Sequence, residues 1–226
     1  MKTQREIRAA ACPELRDLTD AEKKAGYVAA IEGVIPYNSD SEPLGGWGRD
    51  DDDEGFIERI AQDAFKRSLD EGDEIIAYAG HTQDPNSAFG RSGVNLTFSS
   101  DSKALRWRAL VPDTTAGRDL VTNIGHGIIR GTSFEFSVRD GGDQWLAEGD
   151  QAVRIVTDAR LYTVNPVATP AYSESELTVS LRTAAKNVRE AANAPAQQPI
   201  SHDADWDERR REAILVSPVV IQTNER

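Results

Sequence analysis

The 226-residue chain contains one cysteine, one methionine and three histidines. A single cysteine, Cys12, can close no internal disulfide, which points to a reducing compartment. Cys12 also lies in a polar stretch remote in sequence from every histidine, so a thiol nucleophile is not supported. With no cysteine cluster and no His-Glu-x-x-His motif there is no zinc ligand set, and neither a metal nor another cofactor is expected. Positive charge is scarce. The 26 Lys and Arg stand against 38 Asp and Glu, a formal net charge of -12, and phosphate-backbone binding needs the opposite balance. No apolar run approaches the ~18 residues of a membrane span, and residues 1–20 lack the apolar core of a secretory signal. The expectation is a cytosolic protein with neither a nucleic-acid nor a membrane partner.

Hydrophobic residues make up 38% and charged residues 28%, enough for a packed core with polar segments outside it. Composition divides the chain into four zones. Residues 1–25 read as a polar N-terminal arm or short helix, and 26–182 carry nearly all the strand and helix patterns. Residues 183–204, rich in Ala, Pro, Gln and Asn, read as a flexible linker. Residues 205–226 form a tail in which a charged stretch precedes the apolar ILVSPVVI. The five carboxylates Asp50, Asp51, Asp52, Asp53 and Glu54 lack the spaced ligands and turn glycine of a calcium loop. They read as a solvated loop capping the next helix.

Within the central zone, Gly26–Pro36 reads as a strand. Ile57, Ile60, Ala61, Ala64, Phe65 and Leu69 recur at three- and four-residue steps and predict a helix. Glu74–Ala79 reads as a buried strand running into Gly80 and His81. Asn95–Phe98 and Leu105–Val111 read as an antiparallel pair turning at Ser99–Lys103. A second helix is predicted from Thr114 or Thr115 to Ile124, and Ile128–Arg139 and Val153–Val164 as the last long strands. The fold class is α+β, mostly β: a closed or nearly closed mixed or antiparallel barrel with flanking helices.

Three histidines make the search for chemistry short. His202 falls in the linker and His126 at the end of the second helix. His81 follows an apolar strand and opens a loop, a common place for catalytic side chains held by a rigid scaffold. There is no G-x-S-x-G elbow. Ser133 sits in R-G-T-S-F-E-F, after a glycine at the start of a strand. By position alone, His81 reads as structural and Ser133 as a solvent-facing strand serine.

Five segments in order change that reading: FIERIAQDAFKRSL, IIAYAGHTQDPNSAFGRS, VPDTTAGRDL, IIRGTSFEFSV and LYTVNPVATPAY. Together they resemble the HK97-type prohead maturation proteases of tailed phages. The resemblance implies a fold akin to herpesvirus assembly proteases and a serine endopeptidase with His81 as base and Ser133 as nucleophile. By their proximity to Ser133 in sequence, the backbone N–H groups near Arg130 and Gly131 are the candidate oxyanion donors. The resemblance also implies a substrate, the major capsid protein with its scaffolding region, and self-cleavage inside the procapsid in the bacterial cytoplasm. Self-association is a further partner expectation. The tail then reads as a segment for docking to scaffold or shell.

One departure stands out. Where the resembled segment carries an acidic residue before Val-Ser-Pro-Val, this chain has Thr163, followed by Val164, Asn165 and Pro166. A threonine does not stabilise an imidazolium as a carboxylate does. Three readings stay open: Glu135, on the same side of the strand as Ser133, takes the third place; His126 does; or the site is a dyad, slow or inactive. Asp113, Arg118 and Asp119 read as capping and ion-pair residues of the second helix, and Arg91 as structural.

Overall fold

The computed structural model describes residues 5–10, 12–44, 55–168 and 176–194, without the side chains of 176–180 and 182. The acidic run, the glycines before it, His202 and the whole C-terminal tail lie outside the described residues. The element order is β1 (Glu6–Ala10), β2 (Glu14–Arg16), α1 (Asp20–Lys24), β3 (Tyr27–Pro36), β4 (Ile57–Ile60), α2 (Lys66–Asp70), β5 (Ile76–Tyr78), β6 (Ala88–Arg91), β7 (Leu96–Ser100), β8 (Ala104–Pro112), α3 (Thr115–Gly125), β9 (Gly131–Val138), β10 (Asp143–Glu148), β11 (Gln151–Val156), β12 (Ala159–Val167) and α4 (Glu176–Asn193).

The fold is mostly β with a few helices. The strands form a five-stranded sheet β1-β9-β12-β5-β6, a four-stranded sheet β2-β3-β8-β7 and a three-stranded sheet β10-β11-β4. Among the described residues no closed barrel forms, which corrects the expectation of closure. Closing a sheet requires its two edge strands to pair, and β1 and β6 do not. The long β3–β8 pair runs from Tyr27 opposite Pro112 to Pro36 opposite Ala104. It buries Ile31, Ile35, Leu105, Trp107 and Val111 in the same core as Phe134 and Phe136 of β9. The packing rests on alternation, since apolar side chains at every second position share one face.

Three further expectations are revised. The helix predicted from Ile57 is a strand at its start: Ile57–Ile60 pairs in parallel with Val153–Val156, and helix begins only at Lys66. Spacing suggested a helical face, but Glu58 is buried beside Ile60 and has its ion partners on other strands, so pairing overrode the pattern. The stretch Val153–Val164 is two strands. They are separated where the Gly142 carbonyl accepts N–H bonds from Thr157 and Asp158 at 2.7 and 3.1 Å. The polar N-terminal arm is integrated into the fold. β1 lies against β9, β2 against β3, and α1 carries a Thr19–Glu22 capping box.

The linker expected from Thr183 is helical as far as Asn193, in α4. Leu181 and Ala185 pack with Leu44, Phe56 and Ala152, so an alanine-rich composition here serves packing rather than flexibility. Among the described residues, no helix is long and apolar enough to cross a membrane, and no group of three or more His, Cys, Asp or Glu is placed to hold a metal ion.

Candidate active site

Alternation along β9 sets the site. Phe134 and Phe136 point into the core, where their rings stack at 5.6 Å and both meet the edge of Phe65, at 6.1 and 5.9 Å. Ser133, Glu135 and Ser137 therefore face the opposite side of the sheet. Three buried rings hold this strand rigidly, which fixes where Ser133 stands.

His81 reaches the same face from β5. The residue before it, Gly80, has φ +88, a left-handed conformation that lets the chain turn out of the strand without a Cβ clash. The Gly80 N–H donates to the Pro166 carbonyl at 2.9 Å, and the Ala79 N–H to the Ser87 carbonyl at 2.9 Å. Beyond His81 the loop is closed by a short 3₁₀ turn, Pro85–Ser87, capped by the Asp84 side chain. The result is a separation of 3.5 Å between Ser133 Oγ and His81 Nε2, for two residues 52 positions apart. That is the outer limit of a hydrogen bond, a common state of such pairs before substrate binds. Ser133 is 0% exposed, whereas His81 is exposed. A peptide reaches the hydroxyl only if the groups covering it move.

Glu135 lies two residues from Ser133 on the same face, but its carboxylate is engaged by Arg5 at 3.4 Å, not by the imidazole. His126 caps the C-terminal end of α3 and makes no side-chain bond with His81 among the described residues. Nor does any described carboxylate ion-pair with His81. Thr163 stands opposite Glu135. The Arg130 N–H donates to the Val167 carbonyl at 3.3 Å, so it is not free to receive an oxyanion as the sequence suggested.

A further buried side chain on this face is Asn165. It is the register partner of Ser133 on β12 and is 5% exposed. Its Oδ1 accepts the Tyr78 N–H at 3.2 Å, and its Nδ2 donates to Thr163 Oγ1 at 2.8 Å. The backbone N–H can only donate, so it fixes the orientation of the amide. Its only signal in the sequence was its place beside the departure at Thr163.

A second unforeseen feature braces β9, the strand of Ser133, from the other side. β1 pairs with β9 so that Ala9 faces Ser133. Its inward side chains, Glu6 and Arg8, enter a buried ion cluster with Glu58 and Arg154. Arg154 meets Glu6 at 2.6 Å, Glu58 at 2.9 Å and Asp143 at 2.8 Å. Arg8 meets Glu6 at 2.6 Å and Glu58 at 2.7 Å. Burial alone would favour loss of the Arg8 and Arg154 protons. The facing carboxylates outweigh it and raise both guanidinium pKa values.

No curated protein matches the chain. Among solved structures, the capsid assembly protease of bacteriophage T4 is similar at 16% identity, covering 74% of this chain and 98% of that one, with a TM-score of 0.48. The model of the caudovirus prohead serine proteases matches residues 21–190, three quarters of the sequence, and that span contains His81, Ser133 and the strands that hold them. The chain belongs to the caudovirus prohead serine protease family.

Proposed function

We propose that this chain is an HK97-type maturation protease, a serine endopeptidase in which Ser133 is the nucleophile and His81 the base. The observation that carries the reading is the approach of Ser133 Oγ to His81 Nε2 at 3.5 Å. His81 accepts the Ser133 proton as the hydroxyl attacks a peptide carbonyl, then returns it to the leaving amine. Water, with its proton taken by His81, hydrolyses the acyl-enzyme. Family membership supports capsid maturation as the setting. The substrate in this reading is the scaffolding region of the major capsid protein, and then the enzyme itself, inside the procapsid of the infected bacterium. The segment beyond Asn193 is the docking and self-cleavage region.

The test combines a fluorophosphonate probe with co-expression. The wild type labels, and Ser133→Ala and His81→Ala do not. Co-expressed capsid protein is shortened only by the wild type. Absence of both labelling and shortening refutes the reading. It would favour a second one, a catalytically inactive assembly factor on the same fold, which is motivated by Thr163 in place of an acid and by the full burial of Ser133.

A further inference from the structure

We propose that Asn165 is the positioning residue of the Ser133–His81 pair, holding from β12 the backbone that leads into His81. The inference rests on the reading of that pair as catalytic. Three observations converge on it. Asn165 is the cross-strand neighbour of Ser133, so the two side chains share one face of the sheet. Its Oδ1 takes the N–H of Tyr78, at the last position of β5 and three residues before His81. The next residue, Pro166, takes the N–H of Gly80, immediately before His81. Two consecutive residues of β12 therefore hold the Tyr78–Gly80 segment that leads into His81, while the same strand is paired to β9, which carries Ser133.

The local backbone explains why a side chain is needed. The parallel β12–β5 register ends at Val164 opposite Ala77, which leaves the Tyr78 N–H beyond the ladder. An N–H withdrawn from the ladder and partly from solvent needs an acceptor, and the Asn165 side-chain carbonyl supplies it. Thr163 fixes the other half of the amide through its Oγ1 at 2.8 Å, so the position that lacks an acid holds the residue that orients the turn. Among the described residues, the hydrogen bonds of the Asn165 side chain go to Tyr78 and Thr163 and not to Ser133 or His81. Asn165 acts through the Tyr78 N–H on the placing of His81.

Three variants test this on the full chain. Asn165→Leu is close in size but has no acceptor. It lowers the rate of fluorophosphonate labelling at Ser133 about ten- to hundred-fold, the scale expected when a base is displaced by about an ångström. Asn165→Asp keeps the acceptor for Tyr78, and the Thr163 hydroxyl can turn to donate to it, so this variant recovers most of the rate that Asn165→Leu loses. Asn165→Ser, too short to reach the Tyr78 N–H, falls with Asn165→Leu and serves in its place if the leucine variant does not fold.

A second measurement needs no activity. In the wild type the His81 ring resonances respond to Ser133→Ala, and in Asn165→Leu or Asn165→Ser that response is lost. If the wild type does not label, the catalytic reading fails by itself, and the ring resonances still decide the positioning. Labelling of a folded Asn165→Leu or Asn165→Ser at the wild-type rate, or an unchanged His81 response to Ser133→Ala, overturns the proposal.

Discussion

Replacing Arg154 with methionine removes the centre of the buried ion cluster. The guanidinium is 3% exposed and is shared among Glu6, Glu58 and Asp143. With it gone, Arg8 alone faces two carboxylates that are both 2% exposed at the side chain, and the local charge falls by one unit. Breaking a buried ion pair from one side costs about 3–5 kcal/mol, because the cost of desolvating the orphaned carboxylate is no longer offset. That is a large share of the roughly 5–15 kcal/mol that holds a typical domain folded. Urea denaturation of Arg154→Met is expected to show this loss. The double variant Glu6→Gln/Arg154→Met leaves Arg8 matched to Glu58, so it recovers about 1–3 kcal/mol relative to the sum of the single changes, a coupling of the size contacting residues show. Since β1 flanks β9, which carries the proposed nucleophile, Arg154→Met is also expected to slow probe labelling of Ser133. A cost below about 1 kcal/mol, or a double variant no more stable than the sum of its parts, would refute the view that the cluster is a matched set of charges.

Other perturbations follow from single contacts. A Cβ on Gly33 would stand 2.3 Å from Cζ2 of the buried Trp107 ring, so Gly33→Ala should cost about 1–3 kcal/mol in thermal or urea unfolding. Phe136→Ala empties the ring cluster beneath Ser133 and should cost about 3–5 kcal/mol by the same measurement. Glu22 is held down to about 2 from 4.5, first by the Arg108 guanidinium and then by the Thr19 N–H. A depressed carboxylate stabilises the fold above its unfolded value and loses that contribution as pH falls through its folded one. Glu22→Gln is therefore less stable than the wild type at pH 6, with a gap that closes between about pH 4.5 and pH 2. A gap constant over that window contradicts the assignment.

Several elements were legible because their signals are local. The Leu96–Ser100 and Ala104–Pro112 hairpin and the helix Thr115–Gly125, with Thr114 as its cap, were expected within one or two residues. Their alternation, spacing and caps lie within a dozen positions of sequence. Ile57–Ile60 shows where this stops: its three-residue spacing suits a helix, yet a strand partner almost a hundred residues away decided the outcome. The ion cluster was invisible for the same reason, since Glu6, Arg8, Glu58 and Arg154 are ordinary charged residues until three strands bring them together.

Local residue order sets the alternation of β9, which puts Ser133 on the face opposite Phe134 and Phe136, and the strand that delivers His81. Short-range sterics fix both. Only the tertiary structure brought the two to 3.5 Å, set Asn165 across from Ser133, gave Glu135 to Arg5 and left the sheets unclosed. Each of these depends on which strand pairs with which. Pairing is a competition among non-local contacts, and no window of sequence contains both partners.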